Sequence, residues 1–162
     1  MPSVSTMPAR ERSQVQRARF EALSNRDLYD ILRLRSEVFV VEQACAFLDI
    51  DGRDHEPTTE HLWVRDDDGV AGALRLLDEG DGVWSIGRVV TRPDARSSGV
   101  GARLMQEAIA HLDGIGCTAI LLGAQAHLAD WYGRFGFEIS GPGYLEDDIP
   151  HVPMRRERPR AS

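Results

Sequence analysis

The chain predicts an α/β fold with a mixed central sheet, and three observations carry that expectation. First, His61 to Arg65, Val70 to Leu77 and Val83 to Thr91 read as strands separated by two short acidic breaks, 66–69 and 78–82. Each break ends in Gly, as hairpins prefer, so an antiparallel meander is expected. Second, the last of these strands passes through Pro93 and a polar, glycine-bearing loop into a helical pattern. Val100, Leu104, Ala108 and Leu112 recur there at four-residue spacing, with Met105 and Ile109 beside them. Third, Gly114 and Gly116 stop that helix, and Thr118 to Leu122 follows as a short apolar run. Such a run suits a central strand lying parallel to its neighbour across a helical crossover.

In order along the chain, a short strand is expected around Arg17 to Leu23. Ser24 or Asn25 then caps a helix, with Asp27 favourably placed in its first turn. Leu28, Ile31, Leu32, Arg35, Val38 and Phe39 keep helical spacing and present one face to a sheet. Asp49 to Glu56 is acidic and turn-rich and reads as a loop. A helix from about His127 to Arg134 and strands at Phe137–Ser140 and Val152–Arg156 complete the sheet. With 162 residues the chain suits one domain, expected over 20–157, with residues 1–19 a disordered tail and 158–162 a frayed end.

The loop between the third strand and its helix suits an anion. The first amides of a helix lack intrahelical acceptors, and the helix dipole adds partial positive charge there. Gly99 and Gly101 admit a phosphate close to the backbone, and Arg96 supplies a fork of donors. Two glycines alone are also ordinary architecture. The dinucleotide fingerprint does not fit, since no glycine follows directly on the strand. The triphosphate loop fails as well, because its lysine is absent: all 19 basic side chains are arginine.

Arg96-x-x-Gly99-x-Gly101 between strand and helix resembles the coenzyme A loop of the GNAT acetyltransferases. Trp131-Tyr132-Gly133-Arg134-Phe135-Gly136-Phe137 resembles that family's second signature. Arg35 to Gln43, Leu122 to Leu128 and Glu146 to Met154 resemble its ElaA-like branch, and the likeness runs from about Phe20 to Glu157.

The resemblance implies the GNAT acyl-CoA N-acyltransferase fold, a meander followed by a splayed parallel pair, and acetyl transfer from acetyl-CoA to an amine. Backbone groups of Val89, Val90 and Thr91 would hold the pantetheine arm and polarise the thioester. Arg96, Ser97, Ser98, Gly99, Val100, Gly101 and Ala102 would hold the pyrophosphate. Gln125 stands where many members have Asn, seven residues before Tyr132, and its longer amide can bond similarly.

Tyr132 is the expected general acid toward the departing thiolate, a phenol being neutral at pH 7. Packing among Trp131, Phe135 and Phe137 is the alternative role. Glu42 is the expected base, with Asp51, Asp54, Glu60 and His61 as alternates; a strand-start histidine such as His61 is commonly structural. His127 and His151 match branch positions, and one of them is expected to order the site.

The formal charge of -7 argues against nucleic acid or an anionic membrane as partner. Cys45 and Cys117 lack metal-ligand spacing, so no metal is expected. They read as free thiols in a reducing, cytoplasmic setting, with Cys45 as a reactive thiol the lesser alternative. Residues 1–19 hold no apolar stretch suited to a signal peptide. The expected acceptor is a small-molecule or peptide amine, and the expected state is monomer or homodimer. Competing readings are an acyl-CoA sensor without turnover, an enzyme using another acyl group, and an interaction protein that binds no coenzyme A.

Overall fold

The computed structural model describes residues 14–159; expectations for residues 1–13 and 160–162 lie outside that range. Among the described residues, eight strands form one sheet. β1 (Gln16–Arg19), β2 (Glu60–Asp66), β3 (Gly69–Gly80) and β4 (Val83–Thr91) make the expected antiparallel meander. β4 then pairs in parallel with β5 (Ala119–Gln125). β8 (Ile149–Glu157) lies antiparallel to β5, and the short strands β6 (Glu138–Ile139) and β7 (Tyr144–Glu146) both pair with β8. β1 falls inside the segment expected to be a tail. It ends at Arg19 because a 3-10 turn, Phe20–Ala22, takes over there.

Helix α1 (Asn25–Arg35) starts where its cap dictates: Ser24 Oγ accepts a hydrogen bond from the Asp27 amide at 3.0 Å. Its helical spacing continues past Arg35, but as a wider π turn over Ser36–Glu42. Ile31, Leu34 and Val38 pack on Trp63, Val70, Ala73 and Val90. Helix α2 (Val100–Gly114) covers the opposite face. Its Leu104, Met105, Ala108 and Leu112 are fully buried against Leu62, Leu74, Leu76, Ile120 and Leu122. Each large side chain buried this way contributes about 1.5–3 kcal/mol. Alternation along β3 feeds both clusters, Ala73 toward α1 and Leu74 toward α2.

One irregularity decides where the site forms. Along β3 and β4, Ala73 pairs with Val90 but Arg75 pairs with Gly87, so β4 spends one extra residue between these pairs. Arg88 takes φ 51°, which accommodates the bulge. As a result Ile86 and Val90, four apart on one strand, join cores on opposite faces. Arg88 and Val89 are left with no partner residue on β3.

The region after β5 departs most from expectation. The helix expected from His127 to Arg134 is a 3-10 turn, Ala126–Leu128, followed by the short α3 (Ala129–Gly133). The strand expected at Phe137–Ser140 shrinks to two residues, while β8 begins three residues earlier than expected. β7 carries no sequence signal, since all three of its residues are exposed. A two-residue turn forms it: Asp147 and Asp148 sit at φ 49° and 65°, the left-handed pair that closes a tight hairpin.

Candidate active site

β4 and β5 pair only at Val83–Ser85 with Ala119–Leu121. Beyond that point the two strands separate, and a cleft of about 690 Å³ opens between them. Ile86 to Thr91 form one wall, and Leu122, Gly123 and Gln125 form the other. Val89, Val90 and Thr91, expected to hold the pantetheine arm, therefore line this cleft. A physical reason lies in the splay: on the β5 side the β4 backbone beyond Ser85 has no strand partner, and the bulge leaves Arg88 and Val89 without a register partner on β3 as well.

At the cleft mouth Gly99 caps α2 in the left-handed region at φ 81°, which its lack of a Cβ permits. No side chain caps this helix, and the Arg103 amide is the first to reach back, to Gly99 O at 3.0 Å. The amides of Val100, Gly101 and Ala102 are thus the orphan donors of a 15-residue helix. Arg96, Gly99, Gly101 and Ala102 line the cleft. Ser97, Ser98 and Val100 are not among its lining residues. Ser98 Oγ donates to Ala95 O at 2.5 Å, and the Val100 side chain is buried in the α2 core, so both of these side chains are engaged within the fold.

Tyr132 also lines the cleft and is 7% exposed, with its ring edge-on to Trp131 and Phe137. Burial pushes its phenol up to about 12, so it carries its proton at neutral pH. Packing and a place at the cleft are therefore both properties of this residue. Gln125, His127, His151 and Cys45 join the same cleft. Cys45 Sγ donates to Asp147 O at 3.4 Å, and burial, with Asp147 and Asp148 nearby, pushes its thiol up. That argues against a reactive thiolate. Cys117 is free and buried.

Glu42 reaches the cleft, as expected, from the end of the π turn. Its carboxylate makes a bidentate pair with Arg96, at 2.6 Å on both contacts. That hydrogen-bonded pairing holds the Glu42 carboxyl below the usual carboxylate range, which lowers its proton affinity. In this state it is a counter-ion to the loop arginine and a weak base.

The alternates lie elsewhere. Asp51 and Asp54 belong to an ion network with Arg35, Arg75 and Arg88. Glu60 pairs with His111 on α2. His61 is fully buried, its Nε2 2.9 Å from Asp54 O, and burial lowers its proton affinity; it is structural.

Arg88, Phe39, Phe47 and Trp131 are cleft residues that the sequence reading did not assign to the site. Arg88 had a signal. Gly87 interrupts a β-branched run, and an isolated glycine inside a strand pattern points to a bulge. Among the described residues no cluster of His, Cys, Asp and Glu could hold a metal, and no helix is long and apolar enough to cross a membrane.

Residues 33–158 match the family model of the acetyltransferase (GNAT) domain. A UPF0039 protein of Mycobacterium tuberculosis is 45% identical over 138 residues, covering 83% of this chain and 86% of its own length. The crystal structure of Escherichia coli ElaA superposes with a TM-score of 0.84 at 36% identity, over 90% of this chain and 99% of that one. That of an acyl-CoA N-acyltransferase from Pseudomonas aeruginosa does so at 0.82 and 42% identity, over 88% and 99%. The splayed strands, uncapped helix start and bulge thus have a family, and the chain belongs to the GNAT acetyltransferases, in their ElaA-like branch.

Proposed function

We propose that this protein moves the acetyl group of acetyl-CoA to a primary amine of a small molecule or peptide, by direct attack in a ternary complex. The observation that carries the reading is the cleft itself. It opens where β4 and β5 stop pairing, and it is bordered by unpaired backbone on β4, orphan amides on α2 and a buried phenol on α3.

The pyrophosphate sits on the amides of Gly99 to Ala102 with the Arg96 guanidinium, which exchanges Glu42 for phosphate oxygens. The loop backbone at Ser97, Ser98 and Val100 completes that turn. Pantetheine runs along Val89 to Thr91, with Gln125 opposite. Backbone donors freed by the bulge polarise the thioester carbonyl and stabilise the oxyanion that forms on attack. When the C–S bond breaks, the thiolate takes a proton from Tyr132. Desolvation raises the proton affinity of a buried thiolate as well as that of the phenol, so the transfer stays near balance in the closed cleft.

Calorimetric titration with acetyl-CoA, with desulfo-coenzyme A as a non-transferring comparison, tests the donor half. One-to-one binding of both is expected, followed by thiol release on adding an acceptable amine. Folded protein that binds neither returns the loop to architecture and ends the enzyme reading.

A further inference from the structure

Glu42 pairs with the loop arginine that the proposed pyrophosphate site uses, and the β5 edge of the cleft holds a second group able to take the acceptor's proton. His151 on β8 stands opposite Gln125 in the β5–β8 ladder and lines the cleft, with its side chain 11% exposed. Its Nδ1 lies 2.7 Å from Ile149 O. A carbonyl can only accept, so Nδ1 carries the hydrogen and the neutral ring keeps its lone pair on Nε2. Tyr144 stacks on the imidazole, with centroids 5.7 Å apart and planes 22° apart. Tyr144 is itself seated over Gly123, where a Cβ would collide with its hydroxyl. Ring face and Nδ1 edge are thus both fixed, which leaves the Nε2 edge as the working one.

Nε2 lies 3.4 Å from Glu146 Oε2, and Glu146 also lines the cleft. When the ring is neutral, a lone pair and a carboxylate lie side by side there, two acceptors with no donor between them. An alkylammonium, with three N–H donors and one positive charge, satisfies both.

Resting on the acyl-transfer reading above, we propose that His151 is the general base, and that the acceptor enters as a primary ammonium held between His151 Nε2 and the Glu146 carboxylate. His151 takes one proton from R–NH3+. The free amine attacks the thioester carbon, the C–N bond forms, and the carbonyl π electrons move to oxygen. The tetrahedral species collapses, the C–S bond breaks, and the thiolate takes its proton from Tyr132. The second proton leaving nitrogen replaces the one Tyr132 gave, and His151 releases its own to solvent. One proton is set free per amide formed.

The test compares acceptors that need a base with one that does not. Benzylamine, putrescine and lysine amide are ammonium ions at pH 7, whereas methoxyamine is already neutral. His151→Gln is expected to lower kcat for the ammonium acceptors about a hundredfold, the scale of a lost general base. Turnover of methoxyamine and the affinity for coenzyme A are expected to stay close to wild type. In His151→Ala, added imidazole, stacked on Tyr144, is expected to restore part of the lost rate. Equal loss with both kinds of acceptor, or no loss with either, overturns the base assignment while leaving acyl transfer standing. Wild-type protein that releases thiol with none of these amines overturns the acyl-transfer reading, and the base assignment falls with it.

Discussion

Two sets of arginine–carboxylate pairs differ in what surrounds them, and the difference separates architecture from function. Under the β2–β4 meander, Arg35 is 1% exposed and bonds Asp49 Oδ2 at 2.9 Å and Asp54 Oδ1 at 2.7 Å. Arg75 bonds Asp51 and Asp54, and Arg88 reaches Asp49 and stacks over Phe47. Three arginines meet three aspartates, with Arg35, Asp49 and Asp54 at the buried centre and Arg88 at the cleft edge. At the cleft mouth, Arg96 and Glu42 form one pair with both side chains more than two-fifths exposed. A buried set like the first is expensive to open, because each lost partner strands a charge out of water. A pair like the second is cheap to exchange, since water or a ligand replaces either member.

The largest expected effect therefore lies away from the cleft. Arg35→Ala leaves Asp49 and Asp54 buried without their main partner, and a loss of about 3–5 kcal/mol is expected in urea unfolding. A loss below 1 kcal/mol would mean that the network is dispensable.

Acid tests the same set. Arg75 holds the Asp51 carboxyl far below the usual range. For Asp54, burial acts to raise the carboxyl, but Arg35 and Arg75 outweigh it and the net shift is downward. A carboxylate lowered in the folded state contributes stability above its unfolded value, near 3.9 by model peptides, and loses it as pH falls through the folded value. Stability should hold from pH 7 to about 4.5 and fall steeply below about 4. Asp51→Asn should start lower and show a shallower acid limb in pH-dependent unfolding curves.

The next effect belongs to the cleft wall. Tyr132→Phe keeps the ring packed against Trp131 and Phe137 and removes the hydroxyl with its proton. Turnover is expected to fall about a hundredfold while coenzyme A affinity changes little, as for a group that acts in the transition state. A proportional loss of stability, without a kcat effect, would make Tyr132 a core residue and nothing more.

How much of this was legible beforehand depends on the range of the forces involved. The meander and α2 were written in local patterns: strand runs closed by Gly, and Leu104, Ala108 and Leu112 at helical spacing. Ser24 as a cap is equally local. The loop at Arg96–Gly101 was legible as architecture, because a strand, a glycine-bearing turn and an uncapped helix start need only a few residues in one order. The buried network was not, although its signal was present. Arg35 stands in an apolar helical stripe and Arg75 in an apolar strand, and both await the acidic 49–56 segment. Pairing them requires knowing that the two faces meet. β7 and the His151 arrangement were hidden for the same reason. A two-residue turn at Asp147–Asp148 folds β7 back onto β8, and only then does Tyr144 reach the imidazole. Glu42 lines the cleft, but its partner is 54 residues away and invisible to spacing.

The smallest effects sharpen the contrast at the exposed pair. Arg96→Ala removes a charge-assisted fork from the pyrophosphate turn, and coenzyme A binding is expected to weaken about tenfold, less so at high salt. Glu42→Gln acts in the opposite direction. In the proposed complex its carboxylate competes with phosphate for the same guanidinium, so neutralising it should tighten coenzyme A binding by a small factor and flatten the salt dependence. The double variant separates the causes. If Glu42 acts only through Arg96, Glu42→Gln adds nothing once Arg96 is alanine, and the two changes are non-additive in titration calorimetry. Additive effects would mean that Glu42 acts on the donor by itself, and the exposed pair would then be no more exchangeable than the buried one.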